Sequence, residues 1–248
     1  MRKRADPLDR YLVYCGRVQG LREGALLSVV IPALEASAHV GRTLEASMVG
    51  GGADEIVVVD GGSADDTRER AEHAGVRVIE APRGRGSQLA AGATAAHGDW
   101  LLFVHADTVL EDGWAGAVEA FVADPANARR AAVFRFALDD TARAARLLER
   151  LVAFRCRLFG LAYGDQGLLI ARSFYETLGG FRPLALMEDV DLVRRIGRRR
   201  LAILDARAVT SAARYRRRGY FTRVTRNALC LGLYFLGFPP HVLLRIYG

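Results

Sequence analysis

The feature that most constrains the fold is a regular alternation, from Leu27 onward, of short, continuously apolar segments with longer amphipathic ones. The apolar segments predict strands at 28–31, 55–59, 76–79 and 101–104, and the amphipathic segments predict helices at 38–48, 65–74 and 87–96. Strands that are apolar on both sides need a cover on both faces. The pattern therefore predicts an α/β fold with a mostly parallel, Rossmann-like sheet and helices on both faces.

The length of 248 residues suits one large domain, which we place at 25–212. Residues 1–24 show no periodicity and are predicted to be an N-terminal appendage, for which disorder is one interpretation. Within the domain, helices are also predicted at 141–158 and 189–198, and a strand at 168–170. Residues 213–248 form a basic, aromatic-rich segment, for which we predict amphipathic helices around Pro239 and Pro240.

Positive charge is concentrated in the second half of the chain. The formal net charge is +7, and residues 194–226 contain twelve arginines but a single acid, Asp205. Such a cluster suits an anionic partner, namely a pyrophosphate, an anionic lipid headgroup or a nucleic acid, although a solvated basic face is the plain alternative.

The cysteines and the hydropathy pattern bear on the location of the protein. Three scattered cysteines without a CxxC pair indicate neither disulfides nor a zinc site, and favour a reducing compartment. No apolar run reaches the roughly 18 to 20 residues needed to span a bilayer, and no signal-peptide core is evident. We expect a cytoplasmic protein, with peripheral contact at the inner face of the cell membrane left open.

In a parallel sheet, ligands bind beyond the carboxyl ends of the strands, so the residues after each strand are candidates. Asp60 ends the second predicted strand and is followed by Gly61 and Gly62, which allow close approach to the backbone. Its carboxylate can accept a hydrogen bond from a base or a ribose. Capping of the following helix is the structural alternative.

The fourth predicted strand is followed by His105, Ala106 and Asp107. An acid at a strand tip can hold Mg²⁺ or Mn²⁺, which offsets the charge that develops on a departing pyrophosphate. Asp107 is the predicted metal ligand. His105 could bind Mn²⁺, or could instead donate a hydrogen bond to a ribose or to the sheet.

A glycine-rich loop with Arg83 and Arg85 precedes the helix that contains Gln88. Backbone amides and a positive helix end make this loop a candidate anion site, and a plain mobile loop is the alternative. The sequence has neither the GxxxxGK[ST] spacing nor a GxGxxG fingerprint after the first strand. These absences argue against an NTPase and against a dehydrogenase.

Two acidic clusters remain in the second half. Asp165 and Gln166 lie between glycines before the predicted strand at 168–170, and Glu188, Asp189 and Asp191 open a predicted helix. Acids at a helix N-terminus complement the helix dipole, which is sufficient for Asp191. Three acids exceed that need, and Asp189 is the candidate general base for an attacking hydroxyl.

The order and spacing of these motifs resemble family 2 glycosyltransferases with the GT-A fold, over about residues 27–200. The resemblance rests on 29–32, 60–63, 105–107, 179–181 and 188–192, while the loop at 83–88 and residues 163–167 are similar to the bacterial arsenosugar-biosynthesis-type subgroup. The resemblance implies an inverting transfer, in a single displacement, from a UDP- or GDP-linked sugar to a hydroxyl of a small molecule or a lipid.

The resemblance also implies roles for residues. Asp189 and Glu188 would be catalytic, and Asp107 would hold Mg²⁺ or Mn²⁺. One of the arginines at 214–218 would close over the pyrophosphate, with Arg216 as the candidate. The predicted nucleotide-sugar-binding residues are Pro32, Glu35, Asp60, Arg83, Arg85, Gln88, His105, Ala106, Asp165, Gln166 and Arg216.

The sequence departs from the family pattern at three positions. Glu35 and Ala36 stand where relatives have Asn-Glu, Gly61 replaces a second aspartate, and His105 replaces the first acid of the metal motif. These changes bear on the nucleotide contact and on the identity of the metal.

Two other classes of protein would explain parts of the sequence pattern. A basic protein that binds nucleic acid or a membrane surface would explain the arginines but not the acids and glycines at successive strand tips; a nucleic-acid partner is therefore not expected. A sugar-phosphate nucleotidyltransferase would need a lysine-bearing loop after the first strand, and the only lysine is Lys3. The apolar and basic stretch at 227–246 could lie on an anionic membrane surface, pack on the sheet or form a dimer contact.

Overall fold

The computed structural model describes residues 25–184 and 186–247, so the predicted appendage at 1–24 lies outside the described residues. In these described segments, eight strands form one sheet. They are β1 (Leu27–Ala33), β2 (Glu55–Asp60), β3 (Arg77–Glu80), β4 (Trp100–Phe103), β5 (Thr108–Leu110), β6 (Ala131–Leu138), β7 (Leu168–Ala171) and β8 (Leu201–Thr210).

Within the described residues, ten α-helices accompany the sheet. They are α1 (Val40–Met48), α2 (Thr67–His73), α3 (Arg85–Ala95), α4 (Trp114–Val122), α5 (Arg143–Phe159), α6 (Arg172–Thr177), α7 (Glu188–Ile196), α8 (Ala213–Arg218), α9 (Tyr220–Phe235) and α10 (Pro240–Tyr247). Short 3₁₀ turns occur at Val49–Gly51, Pro125–Arg129, Gly164–Gln166 and Arg198–Arg200.

The strand order is β3-β2-β1-β4-β7-β6-β8-β5. The pairs β1–β2, β1–β4, β2–β3 and β6–β8 are parallel, whereas β4–β7, β6–β7 and β5–β8 are antiparallel. The sheet is therefore mixed, with a parallel first half, and the predicted α/β fold class is confirmed.

The apolar segments form the centre of the core, because every residue of β1, β4 and β7 is buried. Buried Ser28 is satisfied: its hydroxyl donates to Glu55 Oε2 at 2.6 Å and accepts from Gly98 N at 2.8 Å. Helix α3 packs closely on β1 and β2 at Gly92, where an added Cβ would lie 2.8 Å from Val59 Cγ2. Glycine at this position thus brings the helix against the sheet.

The last two helices, α9 and α10, pack beside the start of α7. Cys230 of α9 and Leu243 of α10 are buried with Leu186, Met187 and Val190 in a small second hydrophobic cluster. The predicted amphipathic helices in 213–248 are therefore observed, packed next to the start of α7. Among the described residues, no helix combines the length and the apolar character that crossing a membrane requires.

Candidate active site

An open cleft of about 540 Å³ lies beyond the carboxyl ends of β1 and β4. Eight of the residues predicted from the sequence line it: Pro32, Glu35, Arg83, Arg85, Gln88, His105, Ala106 and Asp107. The strand-tip residues are brought together because the parallel strands β1, β2 and β4 end at the same edge of the sheet.

The loops after β1 and β2 are tied to each other. Ser63 Oγ accepts from Glu35 N at 3.0 Å, and Glu35 Oε1 accepts from Ala64 N at 2.7 Å. Asp60 is buried, and its carboxylate accepts from Gly62 N, Ser63 N and Ser63 Oγ, the last at 2.6 Å. Asp60 therefore shapes the loop after β2. The Asp60 side chain lines none of the described cavities, and its contact with a nucleotide stays a prediction.

Gln88 joins the tips of two strands. Its Nε2 donates to Ala33 O at 2.7 Å and to Val59 O at 2.8 Å, and the side chain is only 3% exposed. Both amide hydrogens are therefore used within the protein. Gln88 borders the cleft, but its principal contribution there is to hold β1 and β2 in position.

Asp107 stands at the junction between β4 and β5. The antiparallel pairing of β5 with β8 brings Ser211 N within 3.1 Å of Asp107 O. Arg214, at the start of α8, lies with Nη2 3.9 Å from Asp107 Oδ2. The result is a half-buried carboxylate at the cleft with a guanidinium beside it.

His105 is held in its neutral form. Burial lowers the pKa of His105 to about 4, and Arg85 and Arg214 act in the same direction, against the opposing effect of Asp107 and Asp189. A neutral imidazole keeps a lone pair on one nitrogen, which a metal ion or a hydroxyl hydrogen can use. The ring is packed against Gly164, where there is no room for a Cβ.

A second, smaller cavity of about 100 Å³ adjoins the cleft. The two share four lining residues: Arg85, His105, Asp107 and Arg214. The second cavity is further lined by Asp165, Glu188 and Asp189, and by Arg223 and Asn227 from α9. The cleft and the cavity therefore meet at one cluster of two arginines, a histidine and an aspartate.

Asp189 is oriented by two backbone amides. Its Oδ2 accepts from Gly164 N at 2.7 Å, and its Oδ1 accepts from Val190 N at 2.7 Å. Because Gly164 precedes β7 and Asp189 opens α7, this contact joins two segments far apart in the sequence. The carboxylate is half-buried in the wall of the second cavity, as a base for an entering hydroxyl would need to be.

Two further carboxyl groups in this wall have raised pKa values. Burial raises the pKa of Glu188 to about 7, against the stabilising effect of Arg85, whose Nε lies 3.4 Å from Glu188 Oε1. Burial likewise raises the pKa of Asp165 to about 6, against the effect of Arg155. Carboxyl groups with such perturbed pKa values in a cavity are typical of catalytic or binding sites.

The backbone is unusual at both cavities. Among the described residues, the non-glycine residues with positive φ are Glu35 (49°) and Met187 (67°). Glu35 lines the cleft and Met187 lines the second cavity. A left-handed conformation at a residue with a Cβ costs free energy, and such strain is concentrated at functional sites.

Besides Asp60, two more predicted binding residues lie away from the two cavities. Gln166 is 2% exposed, donates to Phe134 O at 3.1 Å and accepts from Cys156 Sγ at 3.1 Å. Arg216 faces Asp139, with Nη2 3.6 Å from Oδ1. Residues two apart on a helix point about 200° apart, so when Arg214 faces the cleft, Arg216 points away from it.

Sequence reasoning did not single out several lining residues, namely Thr210, Ser211, Tyr215, Arg223 and Asn227, and it named Tyr163 only as part of the segment 163–167. Thr210 ends β8 and Ser211 follows it, and this strand was not predicted from the sequence. Recognition of that strand would have marked them as strand-tip residues. Arg223 and Asn227 are four residues apart on α9, a spacing that places them on one face of a helix but does not reveal what that face covers.

The sequence is similar to the sequences of known glycosyltransferases. The model of the family described as Glycosyl transferase family 2 matches residues 28–161. Glucosyl-3-phosphoglycerate synthase from Mycolicibacterium paratuberculosis is 33% identical over 103 residues, which cover 37% of this chain and 31% of that protein. The enzyme of that name from Mycolicibacterium smegmatis is 35% identical over 106 residues, which cover 38% of this chain and 35% of that protein. The match thus spans about a third of the length of these relatives.

Solved structures extend the likeness to most of the fold. The crystal structure of glucosyl-3-phosphoglycerate synthase from Mycobacterium tuberculosis with Mn²⁺, UDP and glucosyl-3-phosphoglycerate has a TM-score of 0.55 at 23% identity, over 79% of this chain and 74% of that one. The structure of that synthase with Mg²⁺ and UDP has a TM-score of 0.56 at 22% identity, over 79% of this chain and 73% of that one. At this identity the likeness shows the GT-A fold.

The family model covers more than half of the chain, and the motifs from β1 to α5 lie within it. The resemblance to family 2 glycosyltransferases is therefore confirmed, and the similarity to the arsenosugar-biosynthesis-type subgroup stays a prediction. The chain belongs to glycosyl transferase family 2.

Proposed function

We propose that this protein is an inverting glycosyltransferase that moves a sugar from a UDP-linked donor to the hydroxyl of a small acceptor. The observation that carries this proposal is the junction of the two cavities, where Arg85, His105, Asp107 and Arg214 meet within reach of the wall that holds Asp189. A nucleotide in the cleft and an acceptor in the second cavity would then meet at these residues.

The residues at the junction fit a divalent cation bound together with a nucleotide. Within the described part of the chain, no group of three or more His, Cys, Asp or Glu side chains is placed to hold a metal ion. Mg²⁺ and Mn²⁺ are commonly held by one or two protein ligands together with substrate phosphates and water. Asp107, with His105 as a neutral nitrogen ligand, would supply the protein's share, and the bound cation would offset charge on the departing diphosphate.

Two arginines supply the remaining positive charge. Arg85 and Arg214 line both cavities, and a guanidinium can grip diphosphate oxygens through two parallel hydrogen bonds. In the transition state these arginines would stabilise the charge that develops as the bond between the sugar and the diphosphate breaks.

Asp189 would act as the general base. Its Oδ1 and Oδ2 each accept one backbone N–H bond, so the carboxylate is held in place and retains lone pairs for a substrate hydroxyl. Removal of the hydroxyl proton as the oxygen attacks the sugar carbon would complete an inverting displacement in one step. Glu188, whose pKa of about 7 leaves it partly protonated, would border the reacting sugar.

We also propose that the acceptor is small and carries an anionic group. Arg214, Arg223 and Asn227 line the second cavity, which measures only about 100 Å³. The synthase from Mycobacterium tuberculosis was crystallised with phosphoglyceric acid, a compound of this class. Its use by this chain is part of the proposal.

The test is transfer by the purified protein. UDP-glucose and Mn²⁺ are incubated with 3-phosphoglycerate or with other hydroxyl acceptors, and UDP release and the glycosylated product are measured. Asp189→Asn should lower turnover about 10²–10⁴-fold while UDP binding is unchanged, because the amide can still accept from Gly164 N but cannot take a proton. Turnover by this variant at the wild-type rate would contradict the assignment of the base.

Contact of the C-terminal segment with an anionic membrane surface stays a prediction. Helices α9 and α10 do expose Phe221, Leu229, Phe235 and Leu244, but they also pack on the start of α7. Location in the cytoplasm, including a peripheral position at the membrane, likewise stays a proposal.

A further inference from the structure

Helix α5 (Arg143–Phe159) uses one face for the core and presents a second apolar row to the outside. Ala145, Leu148, Val152 and Cys156 are buried against the sheet. The exposed row is formed by Leu147, Leu151, Phe154 and Leu158, whose exposed fractions lie between 42% and 61%. Packing within the described chain therefore does not account for four of the large apolar side chains of this helix.

The spacing of the exposed row is helical. Its members follow one another by four, three and four residues, so they form a continuous stripe about 16 Å long. At about 100° per residue, the stripe is centred about 135° around the helix axis from the buried face. A stripe of this kind is a surface of its own and not an extension of the core.

A row of arginines runs beside the apolar stripe. Arg143, Arg150 and Arg157 are seven residues apart and exposed, and they lie about 70° around the axis from the stripe. In the part of the chain that the structure describes, none of the three forms an ion pair with a carboxylate. The basic row is thus open to an external anion.

Acidic groups near the helix are already engaged. The acid within α5 is Glu149, which pairs with Arg146 at 2.7 Å and accepts from Leu138 N at 2.9 Å. Just before the helix, Asp139 faces Arg216, and Asp140 accepts from Tyr220 Oη at 2.8 Å. A second copy of α5 laid against the first would therefore bring arginine rows together without acids between them, which disfavours a self-paired dimer.

We propose that the outer face of α5 binds the surface of an anionic lipid bilayer, with the apolar stripe at the level of the acyl chains and the arginine row among the headgroups. Adjacent apolar and basic rows on a helix that lies flat on the protein suit this two-layered partner. Arginine stems can also cover apolar surface while the guanidinium stays with phosphate. None of the residues that line the cleft or the second cavity comes from α5, so the proposal is independent of the catalytic assignment.

The test is co-sedimentation of the full chain with phosphatidylcholine vesicles that contain or lack phosphatidylglycerol. Three arginines near an anionic surface predict binding roughly 100-fold tighter with phosphatidylglycerol, and weaker at high salt. The paired change Leu151→Ser and Phe154→Ser should abolish binding, and Arg143→Gln with Arg150→Gln and Arg157→Gln should remove the preference for anionic lipid. Replacement of the three arginines by lysine should preserve much of that preference.

Controls separate α5 from other surfaces and from misfolding. Val49→Ser, at an exposed position outside α5, and the pair Phe221→Ser and Leu236→Ser on the C-terminal segment should bind like the wild type. Circular dichroism and glycosyl transfer in solution should be unchanged in the α5 variants.

The proposal is overturned if the wild type stays in the supernatant, if the α5 variants still bind, or if only the C-terminal pair loses binding. A dimer in solution that the apolar α5 variant dissolves, without vesicle binding, would instead show a second copy as the partner.

Discussion

The arginines of α8 show how one side chain can serve the site while its neighbour serves the fold. Arg214 lines both cavities and lies 3.9 Å from Asp107, whereas Arg216 reaches Asp139 and Asp140 at 3.6 Å and 3.9 Å.

We expect Arg214→Ala to weaken UDP binding about 10–100-fold, since charge-assisted hydrogen bonds contribute about 1.5–3 kcal/mol. Arg216→Ala, the matched control, should change the affinity for UDP by no more than about twofold. If calorimetry shows weaker binding for Arg216→Ala and unchanged binding for Arg214→Ala, the nucleotide contact belongs to Arg216.

Glu188 provides a prediction about pH. Its pKa is raised from 4.5 to about 7 by burial, so the folded protein keeps a proton that the unfolded chain releases between these values. The wild type should therefore lose stability relative to Glu188→Gln as the pH rises from about 4.5 to 7, by an amount on the order of 1–3 kcal/mol. The measurement is thermal unfolding of both proteins across this range, and parallel pH curves would contradict the raised pKa.

Much of the site could be predicted at the residue scale, because polar residues after buried strands stand out in the sequence. The direction in which each side chain points could not be predicted. Asp60, Gln88 and Gln166 are the residue types expected at a ligand site, yet each uses its hydrogen-bonding groups largely within the protein. Only the contacts between loops distant in sequence distinguish a binding side chain from one that holds the site together.

At the scale of elements, the parallel first half of the sheet was predictable, whereas in the second half only β7 was predicted. Strands β1, β2 and β4 are continuous apolar runs, whereas β8 contains Asp205 and Arg207 on its exposed side and follows a run of arginines. Half-exposed strands of this kind lack the continuous apolar signature. As a result, the contribution of Thr210 and Ser211 to the site was hidden with the strand that positions them.

The packing of α3 on the sheet leads to a prediction about stability. A Cβ at Gly92 would collide with Val30 Cγ1 and lie 2.8 Å from Val59 Cγ2, so Gly92→Ala should destabilise the protein by about 1–3 kcal/mol despite the better helix propensity of alanine. Gly116 in α4 has no neighbouring atom within 4 Å of such a Cβ, and Gly116→Ala should be neutral or stabilising. Denaturant unfolding that ranks the two variants in the opposite order would contradict this packing.

On the scale of the whole molecule, the chain combines a family 2 sheet with a C-terminal layer of helices. Residues 28–161 match the family model, while Arg223 and Asn227 of the second cavity come from α9, beyond that match. The order of motifs allowed the fold and most of the residues that line the cleft to be predicted. The cover over the second cavity depends on how α9 and α10 pack, which their mixed apolar and basic sequence did not determine.

The central claim is that the cleft binds a nucleoside diphosphate with a divalent cation at Asp107. The most direct test is calorimetric titration with UDP, with and without Mn²⁺, of the wild type, Asp107→Ala and the exposed control Asp112→Ala. The account predicts metal-dependent UDP binding by the wild type and by Asp112→Ala that Asp107→Ala loses. Metal-independent binding by the wild type, or unchanged metal-dependent binding by Asp107→Ala, would contradict it.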